Sequence, residues 1–213
     1  MQNFNLEGTL YFPWVMLRKS LAIPHFSVAD ISKIYFAKLK HYGFKGLVFD
    51  KDNTLTAPYK LEIYPTIIEA FAQCRDVFGN RIAIMSNSAG TNDDRNYHEQ
   101  ARAIEDALGI PVLRHTRKKP WGIRAVRKYF GCDPSELAMF GDRIFTDVVF
   151  GNRYGMLTIH TALLTEEGDN PTAAKVRSYE LPLVEKWIKR GKRPPHHEKY
   201  HADICLERLI KVS

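Results

Sequence analysis

At 213 residues the chain is long enough for one domain with a substantial core, and its 45% hydrophobic and 26% charged shares are those of a globular protein, not a disordered one. Lys and Arg outnumber Asp and Glu by 31 to 24, and the resulting +7 favours an anionic partner: a phosphate ester, a nucleic acid or an acidic lipid surface. Cys74, Cys132 and Cys205 are odd in number, far apart and without metal-ligand spacing, which argues against a disulfide framework or structural zinc and fits a reducing compartment. No apolar run reaches the roughly 20 residues of a membrane-spanning helix, and the N-terminus lacks the pattern of a signal peptide.

Leu10, Trp14, Leu17 and Leu21 recur at i, i+4, i+7 and i+11, with Pro13 at a first helical position, and predict a short helix with one apolar face. Tyr11, Phe12 and Trp14 beside Arg18 and Lys19 have the composition of a helix lying at a membrane surface; packing on the chain's own domain is the alternative use of the same face. Pro24 ends this segment. Ser27 with Asp30 three residues on reads as a capping-box variant that opens a helix through Ile31, Ile34, Tyr35 and Leu39, closed at Gly43.

Strands and helices then alternate. A strand is expected over 47–50, a helix from Pro65 to Gly79, a strand over 81–85, and a helix using Tyr97, Ala101, Ile104 and Leu108 as its stripe. A short strand follows over 111–113, a helix from Pro120 to near Gly131, a strand over 137–140, a helix to Gly155, and a strand over 156–160. This order predicts an α/β fold, a doubly wound, Rossmann-like parallel sheet of about five core strands. Residues 161–178 read as a polar loop and 181–188 as a last core helix. The tail from Gly191, with Arg193-Pro194-Pro195-His196-His197, reads as a basic linker leading to a short amphipathic helix over 202–212. The expected partition is an N-terminal lead over 1–40, a main α/β domain over 41–190 and an appendage over 191–213.

Four strand ends carry polar residues to one edge of the predicted sheet: Asp50-Lys51-Asp52-Asn53-Thr54, then Ser86-Asn87, then Lys118-Lys119-Pro120, then Gly141-Asp142 with Asp147. Singly, each has a simpler account as a turn, a solvated charge run or a helix cap. All four after successive strands in this order are much harder to explain that way. They resemble the four motifs of the haloacid dehalogenase superfamily of phosphatases. The fuller wording, Phe-Asp-Lys-Asp-Asn-Thr-Leu-Thr, Ser-Asn-Ser-Ala-Gly, Pro-Val-Leu-Arg-His-Thr-Arg-Lys-Lys-Pro and Gly-Asp-Arg-Ile-Phe-Thr-Asp, resembles the mitochondrial phosphatidylglycerophosphatase branch.

The resemblance implies a role for each residue. Asp50 would be the nucleophile that takes the phosphoryl group, and Asp52 the general acid and base, its backbone carbonyl also reaching a metal. Thr54 would buttress the loop, and Ser86 with the N–H of Asn87 would bind phosphoryl oxygens. Lys119 supplies a fixed positive charge, with Lys118 as the alternative, since the adjacent pair leaves the register open. Asp50, Asp52, Asp142 and Asp147 would form a Mg²⁺ site, whose oxygen ligands suit that ion. Arg114 and Arg143, with His115 and Arg117, could rim the site for an anionic headgroup.

Only 33 residues (53–85) separate Asp52 from Ser86 and 31 (88–118) separate Asn87 from Lys119, so neither interval has room for a cap domain beside the expected helix and strand. An uncapped site suits a phosphate displayed on a large object. The resemblance implies a phosphatase for phosphatidylglycerophosphate, bound peripherally through its N-terminal segment to the matrix face of the mitochondrial inner membrane, or to a bacterial or plastid membrane. The alternatives are a phosphatase of soluble or protein-borne phosphoesters, and a catalytically silent membrane or nucleic-acid adaptor. No nucleic-acid partner is expected, because no RNA- or DNA-binding signature occurs; the oligomeric state is left open.

Overall fold

The computed structural model describes residues 13–200 and 209–211. Leu10, Tyr11 and Phe12 of the N-terminal stripe, and most of the helix expected over 202–212, lie outside the described residues. Five parallel strands form one sheet: β1 (Phe26–Val28), β2 (Gly46–Phe49), β3 (Ile82–Ile84), β4 (Leu137–Gly141) and β5 (Leu157–Thr161), in the order β1-β5-β4-β2-β3. Around it lie α1 (Phe36–His41), α2 (Ile68–Phe78), α3 (Arg95–Leu108), α4 (Ile123–Phe130), α5 (Val149–Arg153) and α6 (Pro171–Lys189).

Every residue of β2, β3, β4 and β5 is buried, because helices cover both faces of the sheet. Alternation sorts the side chains. Leu47, Phe49, Ile82, Ile84, Ala138 and Phe140 face a core completed by Phe36, Phe71 and Ile104. Val48, Ala83, Met85 and Met139 meet Val126, Phe130 and Phe150 on the other face. Phe49 and Phe140, paired in register on β2 and β4, stack at 4.6 Å between ring centroids. A third cluster joins Val15, Ile23, Ile144, Val148, Val184 and Trp187, with Trp121 packed against it. Arg117 and Arg153 lie over the Trp121 ring at 4.1 and 3.6 Å, Arg18 over Trp14 at 4.4 Å and Lys19 over Trp187 at 5.8 Å.

β2 lies between β3 and β4, so the chain leaves it toward one side of the sheet and later returns on the other. Such a switch point opens a crevice at the carboxyl ends of the two strands, here β2 and β4. That is where Asp50 and Asp142 stand.

Several expected elements are built differently. Ser27 does not cap a helix: it lies in β1, which pairs with β5 through Phe26 and Ile159. Asp30 is the cap, its carboxylate accepting the Ser32 N–H at 2.7 Å over a 3₁₀ turn (Ile31–Lys33), and the α-helix starts only at Phe36. The strand over 111–113 reduces to a single bridge between Ile84 and Val112; Pro111 brings no N–H, and two backbone bonds complete the pairing. Tyr97 is 93% exposed and leaves the α3 stripe, because Asn96, Tyr97 and His98 take left-handed backbone angles. The loop expected over 161–178 is helical from Pro171, where Asn170 caps α6 by accepting from the N–H groups of Thr172 and Ala173.

The terminal stretches join the body. Ile31, Ile34 and Leu39 belong to the main core, together with Tyr200 and Leu209. Tyr35 N–H donates to the Leu209 carbonyl and Lys211 N–H to that of Lys33. At the helical turn over 13–17, Val15 is buried while Trp14 and Leu17 remain 47% and 84% exposed. No described helix is long and apolar enough to cross a membrane.

Candidate active site

Asp50 follows β2 directly, and its N–H donates to the Phe140 carbonyl at 2.9 Å, so β4 sets its height above the sheet. Asp142 follows β4 in the same way. Asp147 comes from the π-helical turn (Ile144–Val148) and folds back, its Oδ2 accepting the Arg143 N–H at 3.1 Å. It fits because residue 141 is glycine: a Cβ there would collide with the Asp147 side chain. One carboxylate oxygen each from Asp50, Asp142 and Asp147 then lies within 4.8 Å of the others. Lys119, 1% exposed, places Nζ 2.7 Å from Asp50 Oδ1 and 2.6 Å from Asp147 Oδ1.

The charges in this cluster are strained. Burial pushes the Asp142 carboxyl well above the usual range, and repulsion from Asp147 and Asp50 adds to it, against the pull of Arg177 and Arg143. Burial also raises Asp147, with Lys119 opposing and Asp50 reinforcing the shift. For Lys119, burial works downward, but the carboxylates of Asp147 and Asp50 outweigh it and the net direction is up. Lys119, Arg177 and Arg143 offset the repulsion among these buried carboxylates only in part, since Asp142 and Asp147 both remain raised, and an all-oxygen donor set of this size fits a hard divalent cation.

The other motif residues surround this centre. Asp52 turns to Lys51 Nζ and to the Tyr59 N–H, 2.9 Å away, and is not one of the three clustered carboxylates. Lys51, 4% exposed, reaches Thr56 Oγ1 at 3.1 Å and the Lys60 carbonyl at 3.0 Å as well, so its three donors meet three acceptors. Thr54 Oγ1 is enclosed with no hydrogen-bond partner. Ser86 Oγ accepts the Ser88 N–H at 3.1 Å, and Asn87 Oδ1 accepts the Lys119 N–H at 2.8 Å, which joins the loop after β3 to the lysine loop. His115 tightens the same junction, with Nε2 2.9 Å from the Ser86 carbonyl and Nδ1 2.7 Å from that of Arg117.

The adjacent lysines part company: Lys119 enters the carboxylate cluster while Lys118 pairs with Asp93 at 2.9 Å. Arg114 is not gathered into the site; its guanidinium is held by both Glu105 oxygens at 2.5 and 2.7 Å. Arg143 stays beside the cluster, drawing down both Asp142 and Asp147.

Two further residues reach the site from α6. Arg177 donates to Asp142 Oδ2 at 2.8 Å, and the fully buried Glu180 accepts the N–H groups of Ile144 and Phe145 at 3.2 and 3.3 Å. The sequence reading missed both. The available signal was their spacing with Val184 and Trp187, which puts two opposite charges on the apolar face of a helix.

Residues 6–164 match the family described as mitochondrial PGP phosphatase. The chain is 45% identical over 198 residues to the chloroplastic/mitochondrial phosphatidylglycerophosphate phosphatase 1 of Arabidopsis thaliana, across 92% of this chain and 57% of that one. It is 46% identical over 198 residues to the chloroplastic phosphatidylglycerophosphate phosphatase 1 of Chlamydomonas reinhardtii, covering 92% and 74%. To the mitochondrial phosphatidylglycerophosphatase of Saccharomyces cerevisiae it is 35% identical over 157 residues, covering 71% and 83%. The chain thus spans little more than half the length of the Arabidopsis relative. The matched stretch contains all four strand-end motifs and the sheet that gathers them, and the chain belongs to the mitochondrial PGP phosphatase family, a haloacid dehalogenase-type branch.

Proposed function

We propose that the chain hydrolyses the terminal phosphate of phosphatidylglycerophosphate at a membrane surface, giving phosphatidylglycerol and inorganic phosphate, with Mg²⁺ as cofactor. The observation that carries the chemistry is the Lys119 bridge between Asp50 and Asp147 at the carboxyl end of β2. The substrate is supported by the names of relatives up to 46% identical.

Asp50 is the nucleophile: its carboxylate attacks phosphorus, the bond from phosphorus to the lipid oxygen breaks, and the leaving alkoxide takes a proton from Asp52. Water then attacks the phosphorus of the aspartyl-phosphate, Asp52 receives its proton, and Asp50 is freed with inorganic phosphate. For both steps Asp52 exchanges its Lys51 and Tyr59 partners for the reacting oxygen. Lys119 offsets charge on the transferring oxygens, and the Ser86 hydroxyl and Asn87 N–H orient them. Asp50, Asp142 and Asp147 would hold Mg²⁺ together with the Asp52 carbonyl, and the bound ion supplies positive charge against the phosphoryl group.

The short intervals between the motifs, which leave no room for a cap, suit a lipid phosphate, and the exposed Trp14 and Leu17 beside Arg18 support contact of the N-terminal turn with the bilayer. The names of the relatives favour a mitochondrial or plastid membrane. In this reading the catalytic unit over 41–190 takes in β1 from the lead over 1–40, because β1 is an edge strand of its sheet, and Tyr200 and Leu209 of the tail over 191–213 pack into its core.

Phosphate release from phosphatidylglycerophosphate in mixed micelles, with and without Mg²⁺, is the test. The expected result is turnover that requires Mg²⁺ and is abolished in Asp50→Asn. Equal or better turnover of sugar phosphates or nucleotides would sink the lipid assignment, and absence of any turnover would favour the adaptor alternative. Liposome flotation with and without residues 1–24 tests the membrane contact, and unchanged binding would refute it.

A further inference from the structure

The reaction above leaves one buried cation without a task. Arg177 is 5% exposed and divides its fork between two carboxylates, Nη1 to Asp142 Oδ2 at 2.8 Å and Nη2 to Asp169. Asp169 lies 3.5 Å from Asn53 Nδ2, and Asn53 Oδ1 accepts the Thr165 N–H at 3.2 Å. Asn170, the cap of α6, donates to the Tyr59 hydroxyl at 3.2 Å, and Tyr59 N–H is, with Lys51, one of the groups that hold Asp52. Through this chain of contacts α6 touches both the loop after β4 and the loop after β2.

A guanidinium this deep is costly unless paired, and its planar fork, held at one end by Asp169, fixes the direction from which the other end meets Asp142 as a rotating ammonium cannot. Lys119 contacts Asp50 and Asp147 but not Asp142. Among the described residues, Arg177 makes the side-chain ion pair of the third carboxylate.

We propose that Arg177 is a positioning residue for the metal centre: by occupying Asp142 Oδ2 it turns the other carboxylate oxygen toward the cation and ties cation binding to α6. Asp169 sets the guanidinium in turn, so the loop bearing Asp52 and the carboxylate cluster share one support. This rests on the reading of Asp50, Asp142 and Asp147 as metal ligands.

The test is cation affinity, measured on the whole chain without substrate by titrating Mn²⁺ and following the signal of the free ion by electron paramagnetic resonance. The wild-type chain is expected to bind one Mn²⁺ that Mg²⁺ displaces; absence of that binding overturns the metal-site reading itself. Arg177→Met is expected to weaken Mn²⁺ binding by about 10- to 100-fold, the usual effect of removing a partner behind a ligand. Arg177→Lys should recover part of the loss, because it restores charge without the fork. Asp169→Asn, which loosens Arg177 without emptying its site, should weaken binding in the same direction by less, and it carries the test if Arg177→Met does not fold. Unchanged affinity in a folded variant, even with a lower melting temperature, assigns Arg177 a purely structural role and overturns the proposal. Tighter binding overturns it too, since Arg177 would then be a competitor of the cation.

Discussion

Asp142 stands in surroundings that oppose its charge, buried and facing Asp147 and Asp50. Its pKa in the fold lies above the unfolded value, so in the metal-free protein stability falls as pH rises from the unfolded pKa through the folded one. Its ionised form therefore costs stability until a cation arrives. Asp142→Asn keeps an oxygen for Arg177 and is expected to raise the metal-free urea stability by on the order of 1 kcal/mol, while ending both turnover and stabilisation by Mg²⁺. A lower midpoint would contradict the view that charge repulsion dominates here. The resemblance of the motifs names Asp50, Asp142 and Asp147, each standing just past an apolar strand or one turn beyond it, and the fold brings their carboxylates together. Spacing cannot separate Lys118 from Lys119, since a one-residue register decides which enters the cluster, and only packing shows that Lys119 does. Nor does it reveal that Arg114 is already held by Glu105.

At the scale of elements, α6 is the part that sequence reading shortened most. Pro182 inside the helix and the polar stretch before it look like a loop followed by a new start, and the cap at Asn170 outweighs both. The three residues of β1 were hidden for a related reason: Ser27 and Asp30 carry the side chains of a helix start, while the pairing with β5 that makes them a strand is remote in sequence. β2 and β4 were legible because their apolar runs are buried on both faces. The contribution of α6 can be measured through Glu180, which satisfies two N–H groups at the start of the π-helical turn bearing Asp147. Glu180→Leu leaves both N–H groups buried and unpaired, and chemical denaturation is expected to show a loss of about 2–5 kcal/mol. Glu180→Gln, which keeps one acceptor oxygen, should lose less. A Glu180→Leu variant as stable as the parent would show that α6 does not brace the loop.

For the whole molecule, the described part of the tail after α6 packs on the start of β1. His25 Nε2 meets the Pro195 carbonyl at 3.1 Å, and its ring stands 5.5 Å from that of His197 and 5.7 Å from that of Tyr200. Burial, with the neighbouring His197, lowers the His25 pKa to about 4; burial, with His196 and Lys199, lowers His197 to about 4 as well. Both are neutral in the fold, whereas in the unfolded chain each takes a proton near the ordinary histidine value of 6.5. Stability is therefore complete above pH 6.5 and is lost as pH falls toward 4, by at most about 3 kcal/mol for His25 alone. Urea midpoints measured across this window should decline with acid, and His25→Leu should flatten the slope; an equal slope in the variant would place the acid sensitivity elsewhere.

The three tryptophans have an optical consequence. Trp187 lies in the third cluster, Trp121 packs against it and Trp14 precedes its buried Val15, whereas the large aromatics of the main core are phenylalanine and tyrosine. Indole emission therefore views one seam of the protein, where the N-terminal turn, the helix after the last motif and α6 meet. Circular dichroism averages over every element. Recorded together during unfolding, the two signals would clock the parting of that seam against the loss of the sheet, with no label attached.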